Sequence, residues 1–535
     1  MTVAEQVLEF ARAVLKEPDI TLTDDFMVVG GDSLNGTQLV NRINEHFGTD
    51  LAVLDLFDHA DLTDLAEAVK NASTAVAAPA PAERAATAEP AGDGPLSGQQ
   101  MSMWAAEQLA PESNAYLVPE LLLFDGVVDA DLVRDRLAAL VRRHPMLRTV
   151  LQDTEDGVRQ VVHPDRAVDL ERVDLDLTHR AFADTKAELT AALAKLVESP
   201  LSPYVRPVRA HLVRARFADT ERDVLVLTVH HLFCDGWSWR VILDELSRGA
   251  GREPARNYLD FVRDQREALS GDRGRVLERF WADYLDAAPV ADLPADHGER
   301  TVVPTAGDNL PLVFDTELVD GLRALARREH ATLNMVLLAA WTVLLWKITG
   351  VRDQRVAVPV NGRRPEDENV VGCFVNTVAV RTRLRPHEPF RVCLADVRRS
   401  QLTVISHADL PTNRIMRLAN PDGVALLAAT NFGYHAGVAP ITTFGDTYGV
   451  ELLDVDPATP TFPLNVMALE YGTEIRARVK YAADRFRRDT VEAWLADFET
   501  LLRHLARDGE ESSLLALFDS VTVPAGAAAL PDFRF

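Results

Sequence analysis

Apolar residues recur at helical spacing through residues 1 to 72, and the pattern predicts a compact all-α bundle of four helices. Gly48 follows the second apolar stretch and is the residue type that most often ends a helix. Asp61 precedes the last stretch and is typical of a residue that caps a helix start. The predicted helices run over Val3 to Leu15, Ser33 to Phe47, Val53 to His59 and Leu65 to Asn71.

Residues 73 to 95 differ in composition, because alanine and proline replace the large apolar side chains. Such a segment cannot bury enough apolar surface to offset the entropy that is lost on ordering. Its prolines favour extended conformations. We therefore expect a mobile, semi-extended linker that gives the helical unit reach.

From about residue 96 to residue 520, strand-like runs alternate with helix-like stretches, which is typical of an α/β fold. This length exceeds what one hydrophobic core usually supports, so we expect two lobes, about 96–270 and 275–520, and a tail at 521–535. The predicted strands include Pro145 to Leu151, Val208 to Ala215, Leu310 to Phe314 and Gln354 to Val360. The predicted helices include Leu132 to Arg143, Lys186 to Leu196, Thr316 to Arg328, Leu333 to Thr349 and Thr490 to Arg507.

Two adjacent histidines stand at the end of one predicted strand. The apolar run Asp223 to Val229 predicts that strand, and Trp237 to Leu246 predicts the helix that follows. Between them lie His230, His231 and the pair Asp235-Gly236. A histidine titrates near neutral pH, so a rigidly held pair with a carboxylate four residues later suits proton transfer.

The same residues leave two other interpretations open. A buried histidine can be purely structural, and histidines also bind metals. Neighbouring residues of a strand point to opposite faces, however, so both histidines cannot bind one ion. We therefore expect no metal site here.

Composition and charge narrow the classes of function. The formal net charge of −25 disfavours nucleic acid and anionic membranes as partners. Three widely spaced cysteines indicate no disulfide framework and favour a reducing compartment. The N-terminus lacks the pattern of a signal peptide, and no apolar run reaches membrane-spanning length. We therefore expect a soluble, cytoplasmic and monomeric protein.

Ser33 follows a glycine-containing turn at the start of the second predicted helix. Gly30 and Gly31 release the backbone, and the N–H groups at a helix start favour a phosphate, although serine more commonly caps such a helix. With Asp32 beside it and Phe26 seven residues earlier, Ser33 resembles the attachment site of acyl and peptidyl carrier proteins. The resemblance implies that Ser33 carries a 4'-phosphopantetheine arm whose thiol holds an acyl or aminoacyl group.

The stretch from His230 to Ser238 resembles the HHxxxDG signature of the condensation domains of nonribosomal peptide synthetases. Four further motifs lie around it in the order expected for that family. They are Leu96 to Gln100 with Met103-Trp104, Arg143 to Thr149, Tyr258 to Phe261 and Val371 to Thr377. The resemblance implies a carrier domain at 1–72 followed by a condensation domain at 96–520. The latter is expected to be a pseudo-dimer of two chloramphenicol-acetyltransferase-like lobes with the active site in a tunnel between them.

Within the signature, the resemblance implies that His231 is the catalytic residue. It would act as general base on an amine or as a hydrogen-bond partner of the tetrahedral species. Asp235 is expected to orient the histidine loop by pairing with an arginine, and Arg148 is preferred over Arg143 as that partner.

The remaining members of the signature are expected to support these two. Gly236 would allow close backbone approach or offer its N–H to the developing oxyanion. His230 belongs to the same catalytic motif, and we expect its own contribution to be structural. Cys234 is expected to be an inert buried thiol.

The function implied is amide-bond formation in nonribosomal peptide biosynthesis, in which an acceptor amine attacks a donor thioester. The partners implied are donor and acceptor carrier domains, a phosphopantetheinyl transferase and an adenylation domain that lies outside this chain. Two segments depart from the family pattern, namely Thr412-Asn413 after Pro411 and the stretch Asn431 to Tyr434. Both lie outside the histidine motif, so they bear on substrate shape or partner docking.

Three other functions stay open at this point. Ester formation or chain release onto a free amine or alcohol would use the same residues. Epimerisation is suggested by Ser238-Trp239, which related epimerases share, whereas Gly372 to Thr377 resembles condensation domains. A recruitment platform without catalysis would be expected to lose His231 or the Asp235-Gly236 pair, and both are present.

Overall fold

The computed structural model describes most of the chain. The described residues are 2–15, 17–24, 26, 33–49, 51, 56, 61–73, 92–249, 251, 253–297, 304, 306–420, 426–436, 441–455, 457–507 and 509–520. Four sequence predictions lie outside them, namely the glycine-containing turn with Asp32 before Ser33, the third helix except Leu56, the linker except its two ends, and the C-terminal tail.

Three helices are described in the N-terminal unit, α1 (Val3–Leu15), α2 (Ser33–Phe47) and α3 (Leu62–Ser73). Their apolar faces meet in a shared core that contains Val7, Ala11, Leu39, Ile43, Leu65 and Val69. Gly48 ends α2 with a positive φ of 64°, which glycine adopts without strain. The helical prediction for this unit is confirmed, and α3 begins three residues earlier than the pattern indicated.

The first α/β half contains a six-stranded sheet in the order β12-β13-β2-β7-β6-β5, and a three-stranded sheet in the order β1-β4-β3 packs beside it. The strands are β1 (Asp93–Pro95), β2 (Leu117–Phe124), β3 (Thr149–Thr154), β4 (Gly157–Val162), β5 (Leu170–Leu177), β6 (Val208–Phe217), β7 (Glu221–His230), β12 (Thr443–Phe444) and β13 (Tyr448–Leu453). The helices are α4 (Gly98–Leu109), α5 (Ala130–Arg143), α6 (Phe182–Val197), α7 (Gly236–Arg248) and α8 (Tyr258–Ser270). The next helix, α9 (Asp272–Leu285), packs in the core of the second half through Leu277, Trp281 and Leu285.

The second half is built on a six-stranded sheet in the order β10-β9-β11-β14-β15-β8. Its strands are β8 (Gly307–Phe314), β9 (Asp353–Val360), β10 (Asn376–Arg383), β11 (Thr430–His435), β14 (Leu464–Tyr471) and β15 (Glu474–Ala482). Its helices are α10 (Thr316–Arg328), α11 (Leu333–Thr349), α12 (Phe390–Ile405), α13 (Thr412–Ala419), α14 (Arg488–Leu505) and α15 (Leu514–Ser520). Helix α11 is buried on all sides, which explains why its apolar residues run continuously instead of forming one stripe.

The two halves share a strand pair. Strands β12 and β13 come from the second half of the sequence, yet β13 pairs antiparallel with β2, with Val450 opposite Phe124 and Leu453 opposite Leu121. The edge of the first sheet is therefore supplied by the second half of the chain. This exchange fixes the two halves against each other along the cavity that lies between them.

One local prediction differs from the structure. The stretch from Pro145 to Leu151 was expected to enter a strand at its first residue, but Pro145–Arg148 forms a 3-10 turn and β3 begins at Thr149. Proline fixes its φ near the helical value, which suits the first position of such a turn.

In the described part of the chain, no single helix combines the length and the apolar character needed to cross a membrane. Helices α10 and α11 reach that threshold only when they are taken together, and they are bent by 99° at their junction.

Candidate active site

Strand β7 delivers the two histidines at its C-terminal end. It lies between β2 and β6, and its residues from Asp223 to His230 are buried. The backbone N–H of His230 donates to Pro207 O over 2.9 Å, and that of His231 donates to Tyr116 O over 2.8 Å. The chain then turns through the 3-10 segment His231–Phe233, so the two imidazoles leave the strand in different directions.

His231 lines a cavity of about 1810 Å³ to which both halves of the fold contribute. Its Nδ1 is shielded from solvent and has no hydrogen-bond partner among the described residues, which leaves Nε2 as the ring nitrogen that can meet a substrate. Burial lowers the pKa of His231 below its ordinary value. The imidazole is therefore neutral at neutral pH and has a lone pair that can accept a proton.

His230 is buried on the other side of the turn, with 1% of its surface exposed. Its Nε2 lies 2.8 Å from Glu107 Oε1, and its Nδ1 accepts a hydrogen bond from the backbone N–H of Leu232 over 3.2 Å. Both ring nitrogens are thus occupied by protein partners. His230 is not available to a substrate, in line with the structural role expected for it.

Asp235 caps the N-terminus of α7 and is 2% exposed. Its Oδ1 accepts hydrogen bonds of 2.8 Å from both the backbone N–H and the hydroxyl of Ser238, and its Oδ2 accepts one of 2.9 Å from the backbone N–H of Phe374. Burial alone would raise the pKa of Asp235, but the guanidinium of Arg363 and these hydrogen bonds outweigh it and hold that pKa below its usual value. Asp235 therefore stays ionised.

The arginine that pairs with Asp235 is Arg363, and the predicted pairing with Arg148 is wrong. Arg363 Nη2 lies 2.8 Å from Asp235 Oδ1 and 2.7 Å from Ser238 Oγ, while its Nη1 donates to the carbonyl oxygens of Asp367 and Val370. The guanidinium carbon lies 4.1 Å from the centre of the Phe374 ring. This arrangement holds the ion pair in place, and it joins the first half of the fold to the second.

Arg148 and Arg143 take other positions for a physical reason. Arg148 ends the 3-10 turn that leads into β3, and its backbone carbonyl accepts from His163 N, so it follows the three-stranded sheet. Arg143 ends α5 and donates to Glu245 over 2.7 Å and to Glu253 over 3.3 Å, so it stabilises α7 at the end remote from the histidines. No contact between Asp235 and either arginine is present in the described structure.

Gly236 is the first residue of α7 and faces the cavity. Its N–H has no acceptor among the described residues, as expected for the first position of a helix. A Cβ atom placed on Gly236 would lie 3.7 Å from the ring of His435, which is an ordinary contact. Contacts within the protein therefore do not require glycine at this position. The close backbone approach expected for Gly236 would be that of a substrate.

Three residues with functional contacts were not identified from the sequence, namely Arg363, His435 and Glu107. Arg363 lies in the loop that follows the C-terminal end of β9. A polar residue directly after a buried strand is a sequence signal that could have identified it as functional. His435 ends β11 in a similar way and lines the cavity, to which its imidazole is exposed. Glu107 had no such signal, because it lies on a helix that contains other polar residues.

The helix start at Ser33 is compatible with a phosphate ester. Ser33 is the first residue of α2, and the first turn of that helix contains no acidic side chain. The N–H groups of the first turn and the positive end of the helix dipole therefore lie at the attachment position. Ser33 lies outside the part of the chain that forms the histidine site.

The remaining reactive groups are inert or unclustered. Cys234, Cys373 and Cys393 are free and buried, and burial raises the thiol pKa of each. The described residues contain no group of three or more histidine, cysteine or acidic side chains that could bind a metal.

Comparison with known families identifies both parts of the chain. A family model described as "Condensation domain" matches residues 91–514, and one described as "Phosphopantetheine attachment site" matches residues 5–69. One of the linear gramicidin synthase proteins of Brevibacillus parabrevis is 31% identical over 534 residues, which cover 95% of this chain and 10% of that protein. One of the plipastatin synthase proteins of Bacillus subtilis is 28% identical, over 92% of this chain and 14% of that protein.

Solved structures show the same fold. The X-domain from teicoplanin biosynthesis superposes with a TM-score of 0.71 at 20% identity, covering 82% of this chain and 99% of that chain. The first condensation domain of the calcium-dependent antibiotic synthetase gives a TM-score of 0.65 at 19% identity, covering 79% of this chain and 98% of that chain. The two-lobed α/β architecture predicted for residues 96–520 is therefore confirmed.

Proposed function

We propose, from the premise that this chain belongs to the condensation-domain family and has a phosphopantetheine attachment site ahead of that domain, that it forms amide bonds in nonribosomal peptide biosynthesis. An acceptor amine would attack a donor thioester, and the acyl group would move to the amine. The observation that carries the proposal is the position of His231, which faces the shared cavity with the Asp235–Arg363 pair intact behind it.

The attached group would supply a flexible arm whose thiol presents the donor acyl group as a thioester. Ser33 is the residue that would hold the arm, because its place at the start of α2 suits the phosphate. Acidic residues outnumber basic ones in residues 5–70, and this charge would affect how the N-terminal unit meets its partners without selecting the acyl group.

His231 would act on the attacking amine. As the new carbon–nitrogen bond forms, the nitrogen must lose a proton, and the neutral Nε2 of His231 can accept it. The carbon–sulfur bond breaks in the same conversion, and the departing thiolate takes up that proton. Nε2 could instead donate a hydrogen bond to the carbonyl oxygen while negative charge develops there.

Asp235 and Gly236 would support that chemistry without contacting the transferred proton. The buried pair of Asp235 with Arg363 fixes the start of α7, so the turn with His231 keeps its position when substrate enters. The N–H of Gly236 stands at the positive end of the same helix and would stabilise negative charge on the reacting carbonyl.

The partners are part of the proposal. The family composition implies contact with carrier domains, and the donor and acceptor carriers would each deliver an arm into the shared cavity. A phosphopantetheinyl transferase would modify Ser33. An adenylation domain outside this chain would activate the amino acids. The chain spans 10% and 14% of the lengths of the two relatives described above.

Mass spectrometry of the intact protein tests the proposal. A phosphopantetheinyl transferase loads Ser33 with an aminoacyl-pantetheine group, and the loaded chain is mixed with aminoacyl acceptors on a carrier domain or on free pantetheine. We expect the acceptor to gain the mass of the acyl group. Incorporation of deuterium at the α-carbon without transfer would support epimerisation instead, and transfer to an alcohol would support ester formation.

The variant His231→Ala separates catalysis from loading. We expect it to lose transfer while Ser33 is still modified. His179→Ala is the matched control, since His179 is exposed and its Nε2 lies 3.0 Å from Glu188 Oε2, far from the signature in sequence. Undiminished transfer by His231→Ala would overturn the assignment of His231.

A further inference from the structure

We propose that Glu107 is a positioning residue for this reaction, which fixes the tautomer of His230 and through it the turn that carries His231. The inference rests on the proposed function for its link to catalysis. It also makes a claim about the protein alone, namely that the proton of His230 resides on Nε2.

The two contacts of His230 determine where that proton lies. The backbone N–H of Leu232 can only donate, so the Nδ1 that faces it over 3.2 Å must offer a lone pair. Neutral imidazole then has its proton on Nε2. A carboxylate only accepts, and Glu107 Oε1 receives this Nε2–H over 2.8 Å.

Helix α4 holds the histidine turn at two points. Gln100 and Glu107 are seven residues apart, which is close to two helical turns, so they lie on the same face of α4. Gln100 Nε2 donates to Leu232 O over 2.9 Å, while Glu107 contacts His230. The backbone on both sides of His231 is therefore held by one rigid helix.

The contact between Glu107 and His230 depends on a single proton, the one on His230 Nε2. If the carboxylate were absent, the buried Nε2–H of His230 would lose its acceptor, and leaving a buried donor unpaired is costly. The other tautomer would relieve that cost only by placing a proton on Nδ1, where it would face the N–H of Leu232. Either outcome would shift Leu232 and the adjacent His231.

The first experiment measures catalysis. Glu107→Leu removes the acceptor, whereas Glu107→Gln keeps an oxygen at the same position. Losing a charge-assisted hydrogen bond in a positioning role corresponds to a fall of about 10- to 100-fold in the transfer rate constant. We expect this fall in Glu107→Leu at saturating acceptor with little change in KM, and transfer near the wild-type rate in Glu107→Gln. Glu112→Gln, an exposed acid beyond the end of α4, is the control.

The second experiment measures the tautomer directly. Nitrogen-15 NMR of histidine-labelled full-length protein, with the His230 signals assigned from a His230→Asn sample, shows which ring nitrogen is protonated. We expect Nε2–H in the wild type and in Glu107→Gln. We expect Glu107→Leu to show either a mixture of tautomers or exchange broadening.

The outcomes separate this inference from the proposed function. A wild type that transfers nothing but shows Nε2–H would contradict the function and support the tautomer. A wild type with Nδ1–H would overturn the inference whatever its activity. Full transfer by Glu107→Leu would also overturn the inference. Because the tautomer is measured on the wild type, the test holds even if that variant fails to fold.

Discussion

Arg363 donates to Asp235 over 2.8 Å and joins the helix that follows the two histidines to the loop that follows β9. The two residues are separated by 128 positions in the sequence and belong to different halves of the fold. Both are almost fully buried. The position of His231 therefore depends on correct packing of both halves.

A double-mutant cycle tests this ion pair. Removing one partner leaves a buried charge unpaired, which costs about 3 to 5 kcal/mol. We expect Asp235→Ala and Arg363→Ala each to lower the free energy of unfolding by this amount, and the double variant to lose little more. Equilibrium unfolding in urea would give the coupling energy, which we expect to reach about 3 kcal/mol.

The control cycle combines Asp235→Ala with Arg148→Ala in place of Arg363→Ala. Because no contact joins Arg148 to Asp235 in the described structure, we expect the effects of Asp235→Ala and Arg148→Ala to add within about 0.5 kcal/mol. A large coupling energy with Arg148, together with none for Arg363, would contradict the structure and restore the pairing expected from the sequence.

The part of the fold that the sequence predicts well is the part with local causes. The apolar pattern predicts the observed boundaries of α10 and α11, and Gly350 ends α11. These boundaries are predictable because caps and periodicity act within a few residues. The two histidines likewise leave β7 in different directions for a local reason, because the chain turns at His231 directly after the strand ends.

The contacts that could not be predicted are set by long-range packing. A two-residue strand such as β12 has too few positions to show a pattern, and its crossing to the first sheet depends on the whole second half. The choice of Arg363 over Arg148 depends on which of two polar loops reaches α7. The sequence around the two arginines does not distinguish them, so only the tertiary structure determines which one pairs with Asp235.

The pH dependence of transfer should report His231. Burial lowers its pKa below the ordinary value of about 6.5, so the imidazole stays neutral down to that pH. The acceptor α-amine must be neutral to attack and titrates on its own near about pH 8, so the rate of transfer is first divided by the neutral fraction of that amine. We expect the corrected rate to stay constant down to about pH 6.5 and to fall only at lower pH, as His231 gains a proton. A rate profile measured with pre-loaded protein checks this, and an acidic limb centred above about pH 7 would contradict it.

Stability should change in the same window. Below about pH 6.5 the unfolded chain binds a proton at His231 while the folded chain does not, so the free energy of unfolding falls as pH drops towards the lowered folded pKa. His231→Asn should reduce this loss. His435→Asn is the matched comparison, because desolvation within the cavity also lowers the pKa of His435. Only the His231 variant should also lose transfer.

Gly372 should be intolerant of a side chain. A Cβ atom at this position would lie 2.2 Å from the Tyr258 ring, whose hydroxyl contacts Ser97 Oγ at 2.9 Å and Cys373 O at 2.6 Å. The ring is fully buried and cannot move aside. We expect Gly372→Ala to lower the free energy of unfolding by about 1 to 3 kcal/mol.

The control for Gly372 is Gly126, where an added Cβ would meet no atom within 4 Å. We expect Gly126→Ala to change the free energy of unfolding by less than about 0.5 kcal/mol. Denaturant titrations of the two variants would give the comparison. Equal midpoints would show that the backbone around Tyr258 adapts.

His435 should limit the space beside the reacting groups. Its imidazole lies on the cavity wall and would be 3.7 Å from a Cβ atom at Gly236, and it has no hydrogen-bond partner among the described residues. We expect His435→Ala to retain transfer within about threefold, because no hydrogen bond within the protein is lost. His435→Trp should reduce transfer by more than about tenfold, since the larger ring would occupy volume that the acyl group needs near His231.

Loading of Ser33 should be equal in both variants, which checks that the carrier part is intact. The opposite order, with His435→Ala inactive and His435→Trp active, would show that the imidazole takes part in the chemistry and does not merely shape the cavity.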